Sequence, residues 1–178
     1  LKDLYESEGN WRMVNLRYFN PVGSHSSGFL KENSKAGRSS NLVPSILKAI
    51  KGEEHNLLVF GNDWPTYDGT CVRDYMHVTD LSVAHVKALE YLKEKSKSVI
   101  LNCGYGKGYS VLEILRIFKR IKKNLEINFV QRRKGDVAAV YSDTKKFKKT
   151  IKMKIKYNNI RKILESSIKW EKILKNRK

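Results

Sequence analysis

The sequence predicts an α/β fold. Apolar segments with strand periodicity alternate along the chain with amphipathic helical patterns, which is the order typical of this class. The segment SVILNCG at 98–104 is apolar along most of its length, as are strands of a parallel sheet that are buried on both faces. Ser110 and Glu113 have the spacing of a capping box ahead of a helical run, which predicts where one helix begins.

The first strand is predicted within residues 11–19. Val14, Leu16 and Tyr18 alternate there with polar residues, which is the period of a strand. Pro21 lacks the N–H that a sheet ladder uses and favours extended geometry at the residue before it. We therefore expect this strand to end near Pro21.

Caps, turns and periodicity predict the remaining elements. Pro44 in a first turn and Gly52 beyond a last turn indicate a helix between them. Asp80 is placed to act as the N-cap of a helix with apolar residues at helical spacing. In chain order we expect a helix end at 1–8, a polar and functional loop at 24–40, a helix at 41–52, two strands joined by a turn-rich loop within 57–78, a helix after Asp80, a strand at 98–104, a helix from 111, a strand within 126–136 and a last helix from Asn159.

Charge is the most unusual property of the composition. The 178 residues include 36 Lys and Arg against 18 Asp and Glu, a formal net charge of +18. This balance leaves a basic nucleic-acid-binding protein as one alternative. Much of the excess lies in TKKFKKTIKMKIK at 144–156, whereas base contacts and stacking favour arginine and aromatic residues. A solvated lysine-rich helix face is the favoured explanation, and we expect no specific nucleic-acid partner.

Composition also argues against several other classes. No apolar run approaches the roughly 20 residues of a membrane span, so we expect no membrane partner. Cys71 and Cys103 lie far apart without C-x-x-C spacing, which favours a reducing, cytoplasmic location and argues against a zinc site. The four histidines have no ligand spacing either, and we expect no metal. The chain opens on Leu1, which suggests part of a longer polypeptide or a processed product.

The glycine-rich segment GYGKGYS at 104–110 invites a phosphate-loop interpretation. It lies between a predicted strand and a predicted helix, as a dinucleotide-binding fingerprint does. Its pattern is G-x-G-x-G rather than G-x-G-x-x-G, and it comes late in the chain. A tight strand-to-helix turn is the favoured interpretation.

Three clusters of polar and aromatic residues lie at the ends of predicted elements. They are Tyr18, Phe19 and Asn20; Arg73, Asp74 and Tyr75; and Arg132, Arg133 and Asp136. The planar guanidinium of arginine suits a diphosphate, and a carboxylate suits ribose hydroxyls or holds the guanidinium in place. Each Arg–Asp pair taken alone fits a structural ion pair. Together, at the strand ends where open α/β sheets bind ligands, the clusters predict a nucleotide clamp.

Five segments carry a resemblance to a known family. In order they are LRYFNPVGSH, NLVPSI, VFGNDWPTYDGTCVRDYMHVTDL, LNCGYGKGYSVLEI and RRKGDVAAVYSD. Together they resemble the carboxy-terminal half of the UDP-glucose 4-epimerase family, which belongs to the extended short-chain dehydrogenases/reductases. The loop ND.PT.DGT favours this family over the alternative, another nucleotide-sugar epimerase or dehydratase of the same superfamily.

The resemblance implies a fold and an activity. Residues 1–20 and 79–103 would complete a partial Rossmann-type parallel sheet of the NAD-binding domain. Residues 21–78 and 104–178 would form a smaller, interleaved α/β domain that binds the UDP-sugar. The family interconverts UDP-glucose and UDP-galactose through a 4-keto intermediate with bound NAD, and the full-length enzyme is expected to be a homodimer. Two Y-x-x-x-K matches, Tyr91 with Lys95 and Tyr141 with Lys145, are interpreted as accidental. The family's NAD glycine motif and upstream catalytic Tyr-x-x-x-K have no counterpart in these 178 residues, so we expect no catalytic residue and no activity in isolation.

The resemblance also assigns site residues. The nicotinamide side is assigned to Tyr18 and Phe19. The UDP-sugar is assigned to Asn20, Asn41, Leu42, Leu58, Val59, Phe60, Arg73, Tyr75, Arg133, Asp136 and Val140. Within this set, Arg73 and Arg133 would bind phosphates and Asp136 would accept from the ribose. Asn20 would bond the diphosphate or sugar, and the uracil would lie along Leu58, Val59 and Phe60.

Val140 has a further implication for the substrate. It occupies a position that varies between large and small residues across the family. A small residue there leaves room for an N-acetyl group. We therefore expect the complete enzyme also to accept UDP-N-acetyl sugars.

Overall fold

The α/β class is confirmed by a computed structural model, which describes residues 2–8, 10–29, 41–53, 56–95, 97–120 and 125–175. The helices are α1 (Lys2–Ser7), α2 (Leu42–Lys51), α3 (Val78–Lys95), α4 (Val111–Lys119), α5 (Lys145–Thr150) and α6 (Ile160–Lys175). The strands are β1 (Val14–Tyr18), β2 (Asn20–Val22), β3 (Leu57–Phe60), β4 (Val72–His77), β5 (Val99–Cys103), β6 (Gly108–Ser110), β7 (Ile127–Val130) and β8 (Ala139–Val140). Most of the predicted loop at 24–40 lies outside the described residues.

The described strands form three sheets, in which most pairs are parallel. β1 pairs with β5, and β3 pairs with β7, both in parallel. β4 pairs in parallel with β2 and β8 and antiparallel with β6. Parallel pairing places the carboxyl ends of β3 and β7 side by side, at the kind of edge where ligands bind in α/β proteins.

β1 ends at Tyr18, near Pro21 as expected, but Pro21 itself lies in a further strand. The chain changes partner at Phe19, because β1 pairs with β5 whereas β2 pairs with β4. Pro21 lies in the middle of β2 opposite Met76. β2 is the end strand of its sheet among the described residues, and edge strands tolerate the missing N–H of proline.

The expectation that Asp80 caps a helix is also wrong. α3 begins at Val78, and Asp80 lies buried in its first turn. Its carboxylate accepts the hydroxyl of Tyr105 at 2.7 Å and the backbone N–H groups of Lys156 and Tyr157 at 3.2 and 3.0 Å. Asp80 therefore joins α3 to the extended segment after α5 instead of capping the helix.

The apolar strand at 98–104 is covered on one face only within the described residues. Leu101 and Cys103 of β5 are buried against α3 and α5, whereas Ile100 is 44% exposed. The expectation of burial on both faces is therefore wrong here. Among the described strands, β5 has β1 as its one neighbour, and Ile100 faces away from α3 and α5.

Other local predictions are confirmed. The hydroxyl of Ser110 accepts the N–H of Glu113 at 3.0 Å, and the Glu113 carboxylate accepts the N–H of Ser110 at 2.8 Å, so the capping box opens α4. Gly52 ends α2 with a left-handed φ of 82°. No described helix has the length and apolarity that a membrane span requires.

Candidate functional site

A cavity of about 300 Å³ opens where β2, β3 and β4 meet the segment that follows β7. It is lined by Asn20, Asn41, Leu42, Ser45, Leu58, Val59, Phe60, Cys71, Arg73, Tyr75, Val111, Arg133 and Asp136. Every residue that the resemblance assigns to the UDP-sugar is in this set except Val140. Residues between positions 20 and 136 are thus brought to one site by strand pairing.

A three-residue charged group forms one side of the cavity. The Asp136 carboxylate accepts from Nε and Nη2 of Arg133 at 3.2 and 3.3 Å, and it lies 3.8 Å from Nη2 of Arg73. Two guanidinium groups share one carboxylate, so this side is positively charged. The interpretation of Arg73 and Asp74 as an ion pair is wrong, because the partner of Arg73 is Asp136.

Arg73 is held in place by the backbone around it. Its Nη1 donates to the carbonyl oxygens of Val72 and Val137, both at 2.9 Å. The first lies on its own strand and the second lies beside β8, which pairs with β4. The guanidinium is therefore oriented before any ligand arrives, which reduces the entropic cost of binding.

An apolar wall faces the charged group. Leu58, Val59 and Phe60 of β3 supply it, and the Arg133 guanidinium lies 5.2 Å from the centre of the Phe60 ring. This distance is within the range of a cation–π contact. A flat apolar surface beside paired guanidinium groups suits a ligand with an aromatic base and a phosphate.

Two buried protonated groups complete the lining. Burial raises the pKa of the Tyr75 hydroxyl far above its usual range, with the positive charge of Arg73 opposing this. Burial likewise raises the pKa of the Cys71 thiol. Both groups are therefore neutral near pH 7, and they add hydrogen-bonding capacity without charge.

The sequence interpretation missed Ser45, Cys71 and Val111. Ser45 lies about one helical turn after Leu42, and Cys71 lies immediately before β4, two residues before Arg73. Helical and strand periodicity could have identified these two residues. Val111 is the first residue of α4, after its N-cap, and it lines the cavity only because of tertiary packing. No local sequence signal marks it.

Tyr18, Phe19 and Val140 lie outside the cavity lining. Tyr18 is exposed at the end of β1, with its ring 6.3 Å from that of His85. Phe19 is half-buried where the chain passes from β1 to β2. Val140 lies in β8 opposite Arg73 and is partly exposed. Their proposed contacts with nicotinamide and sugar stay predictions.

The glycine-rich segment at 104–110 forms a turn around an internal carboxylate. The N–H groups of Tyr105 and Gly106 donate to Asp74 at 3.1 and 2.9 Å. A Cβ on Gly104 would lie 2.4 Å from Oγ of Ser142 and 2.5 Å from Oδ2 of Asp74. These N–H groups are engaged inside the protein, which supports the tight-turn interpretation over phosphate binding. Among the described residues, no cluster of His, Cys, Asp or Glu could hold a metal.

The parallel strand pairs and the cavity at the carboxyl ends of β3 and β7 place the chain among the α/β proteins that bind ligands at such an edge. Residues 2–104 match the NAD dependent epimerase/dehydratase family. The chain belongs to this family, which confirms the resemblance seen in the sequence.

Relatives that are about 40% identical to this chain are UDP-glucose 4-epimerases. The chain is 41% identical over 174 residues to that of Drosophila melanogaster and 40% identical over 172 residues to that of Bacillus subtilis. In both cases the match covers 96% of this chain, against 49% and 50% of the relative. The chain thus spans about half the length of the curated relatives it matches.

Solved structures of the same kind superpose closely. A UDP-glucose 4-epimerase from Stenotrophomonas maltophila with bound NAD and formylated UDP-arabinopyranose has a TM-score of 0.91 at 35% identity, covering 99% of this chain and 52% of that one. The enzyme from Bifidobacterium longum in complex with NAD⁺ and UDP has a TM-score of 0.88 at 38% identity, covering 98% and 52%. The Rossmann-like architecture of these neighbours agrees with the parallel strand pairs seen here.

Proposed function

We propose that this chain is the UDP-sugar-binding part of a UDP-glucose 4-epimerase, which interconverts UDP-glucose and UDP-galactose through a 4-keto intermediate. The observation that carries this proposal is the cavity, because it unites Arg73, Arg133 and Asp136 with the apolar wall of β3. Sequence relatives with this name, and a similar structure that contains UDP, support it.

Each part of a UDP molecule has a matching surface in the cavity. The uracil would lie along Leu58, Val59 and Phe60, and the diphosphate would lie between Arg73 and Arg133. Asp136 would accept from the ribose, since a carboxylate has about four lone-pair sites and can serve Arg133 and a hydroxyl together. Contacts of this kind hold the nucleotide equally throughout the reaction, so they anchor the substrate without lowering the chemical barrier.

The residues of this chain proposed for the cofactor are Tyr18 and Phe19. NAD would supply the hydride acceptor and donor that inversion at the sugar carbon needs. Tyr18 is 56% exposed at the carboxyl end of β1, so its ring is accessible to a flat group. We expect this chain alone neither to retain NAD nor to epimerise, because no catalytic residue is assigned to it.

The proposed division into two parts follows the strand pairing. The pairing of β1 with β5 and the packing of α3 on them support assigning residues 1–20 and 79–103 to the NAD-binding domain. The pairing of β2 and β3 in other sheets supports assigning residues 21–78 and 104–178 to the UDP-sugar domain. We further propose a cytoplasmic homodimer for the complete enzyme, with UDP-N-acetyl sugars as additional substrates and no specific nucleic-acid partner.

Calorimetric titration of UDP tests the proposed site. We expect binding that persists at high salt and that Arg133→Ala weakens by about 10- to 150-fold, the effect of losing one charged hydrogen-bonding contact. Arg161→Ala is the matched control, since Arg161 is exposed on α6 and pairs with Glu165. Circular dichroism first establishes that each variant is folded.

Two outcomes would contradict the proposal. If the protein is folded but does not bind UDP, the proposed nucleotide site is wrong. Binding to random oligonucleotides but not to UDP, with a steep fall in affinity as salt rises, would favour the charge-driven alternative. In the complete enzyme, turnover of UDP-galactose without turnover of UDP-N-acetylgalactosamine would contradict the interpretation of Val140.

A further inference from the structure

Asp74 is a buried carboxylate that the proposed nucleotide site does not use. It lies in β4 between Arg73 and Tyr75, which both line the cavity. Because side chains alternate along a strand, Asp74 points to the opposite face. It is completely buried, and no described lysine or arginine forms an ion pair with it. A buried charge of this kind is costly unless other polar groups compensate for it.

Four hydrogen-bond donors converge on this carboxylate. Oδ1 accepts the N–H of Tyr105 at 3.1 Å. Oδ2 accepts the N–H of Gly106 at 2.9 Å, and the N–H and hydroxyl of Ser142 at 3.2 and 2.5 Å. Successive backbone N–H groups arranged in this way form an anion-binding concavity, and here the anion is part of the protein.

These bonds fix one end of the segment that carries the charged side of the cavity. Arg133 and Asp136 lie at its start and Ser142 at its end. Between them, the Val72 N–H donates to Ala138 O at 2.8 Å, and Arg73 donates to Val137 O at 2.9 Å. The segment 133–142 is therefore attached to β4 at two places. Arg73 bonds it near Asp136, and Asp74 bonds it at Ser142, after β8.

We propose that Asp74 is a positioning residue for nucleotide binding. Its carboxylate holds Ser142 and the turn at Tyr105–Gly106. These contacts fix how β8 pairs with β4, and the pairing in turn positions Arg133 and Asp136 on the side proposed for the phosphates. Only a carboxylate suits this position, since an amide would direct its own N–H₂ group at backbone N–H donors. The identity of the ligand rests on the function proposed above.

A comparison of UDP with uridine in the full natural polypeptide tests this role. Uridine keeps the contacts of the base with β3 but lacks the phosphates. We expect Asp74→Asn to lower the affinity for UDP by about tenfold and the affinity for uridine by less than about threefold. The ratio of UDP affinity to uridine affinity therefore falls. A purely structural role would weaken both ligands alike. Ser142→Ala removes one donor, and we expect about a threefold loss for UDP alone.

Asp143→Asn is the matched control, because Asp143 is the exposed neighbour of Ser142 and its carboxylate accepts the N–H of Lys145 as its one described hydrogen bond. Its ratio of UDP to uridine affinity should equal that of the wild type. Equal losses for both ligands in a folded Asp74→Asn protein, or no loss, would overturn the positioning role. If that variant does not fold, an unchanged ratio in Ser142→Ala overturns it. Failure of the wild type to bind UDP would instead overturn the proposed function.

Discussion

At the scale of single residues, His77 is a buried histidine with a described contact at each ring nitrogen. Its Nδ1 accepts the N–H of Thr79 at 3.1 Å, so the neutral ring carries its hydrogen on Nε2, which lies 3.4 Å from Oγ of Ser166. The ring also stacks on Tyr157 with centroids 4.1 Å apart. Burial lowers the pKa of His77 below its usual 6.5, although the negative charge of Asp80 opposes this.

This lowered pKa predicts a loss of stability in acid. The unfolded chain takes up a proton at His77 near pH 6.5, whereas the folded chain does so only at lower pH. The contribution of neutral His77 to the free energy of unfolding is therefore complete above pH 6.5 and is lost as the pH falls through the folded pKa. We expect His77→Gln to flatten the fall in unfolding free energy between pH 7.5 and 5, measured by urea titration. His85→Gln, at an exposed position on α3, should retain the wild-type slope. An unchanged slope in His77→Gln would contradict the assignment.

Residue identities could be predicted from the sequence better than residue surroundings. The sequence identified three residues that line the cavity, Arg73, Arg133 and Asp136, in clusters at the ends of predicted elements. Asp74 and Asp80 were interpreted as an ion-pair partner and a helix cap, yet both are buried acceptors of backbone N–H groups. Those donors come from segments 31 to 77 residues away, so local pattern could not reveal them. Strand alternation alone could have indicated that Asp74 points away from Arg73.

At the scale of elements, α4 depends on its N-terminal cap. The hydroxyl of Ser110 accepts the N–H of Glu113 and also donates to Asp68 at 2.5 Å, which ties the loop between β3 and β4 to the helix. We expect Ser110→Ala to lower the free energy of unfolding by about 1–2 kcal/mol, the range of a lost cap. Urea unfolding measures this. Ser82→Ala, on the exposed face of α3, should change it by less than about 0.5 kcal/mol, and equal effects would argue against the cap.

Helices and long strands could be predicted because their signals are local. Capping residues and periodicity mark α2, α4 and α6 within the sequence that forms them. The strands β2, β6 and β8 have only two or three residues, too few to display a period. All three exist by pairing with β4, which is a tertiary interaction. The same dependence explains why Pro21 was misinterpreted, since its acceptability depends on which neighbours β2 has.

At the scale of the whole molecule, two sources of positive charge could attract a nucleotide. One is the local pair of Arg73 and Arg133, which meet at Asp136 in the cavity. The other is the net charge of +18, much of it on exposed lysines of α5 and the extended segment after it. The local pair is oriented by hydrogen bonds, whereas exposed lysines act through solvent and are screened by salt. We therefore expect bound UDP to stabilise the fold mainly through Arg73 and Arg133, and only weakly through the exposed lysines.

Thermal unfolding separates these two sources. UDP at a hundredfold excess over its Kd should stabilise the protein by about 2.7 kcal/mol, which raises the Tm by roughly 5–11 °C in a chain of this length. With Arg133→Ala at the same UDP concentration, the expected stabilisation falls to between about 0.3 and 1.4 kcal/mol, because the Kd rises by about 10- to 150-fold. A variant with Lys148→Gln and Lys149→Gln removes two exposed positive charges from α5 and should keep the full UDP-induced shift. If the lysine variant lost as much of the shift as Arg133→Ala, UDP would be held by diffuse charge and not by the cavity.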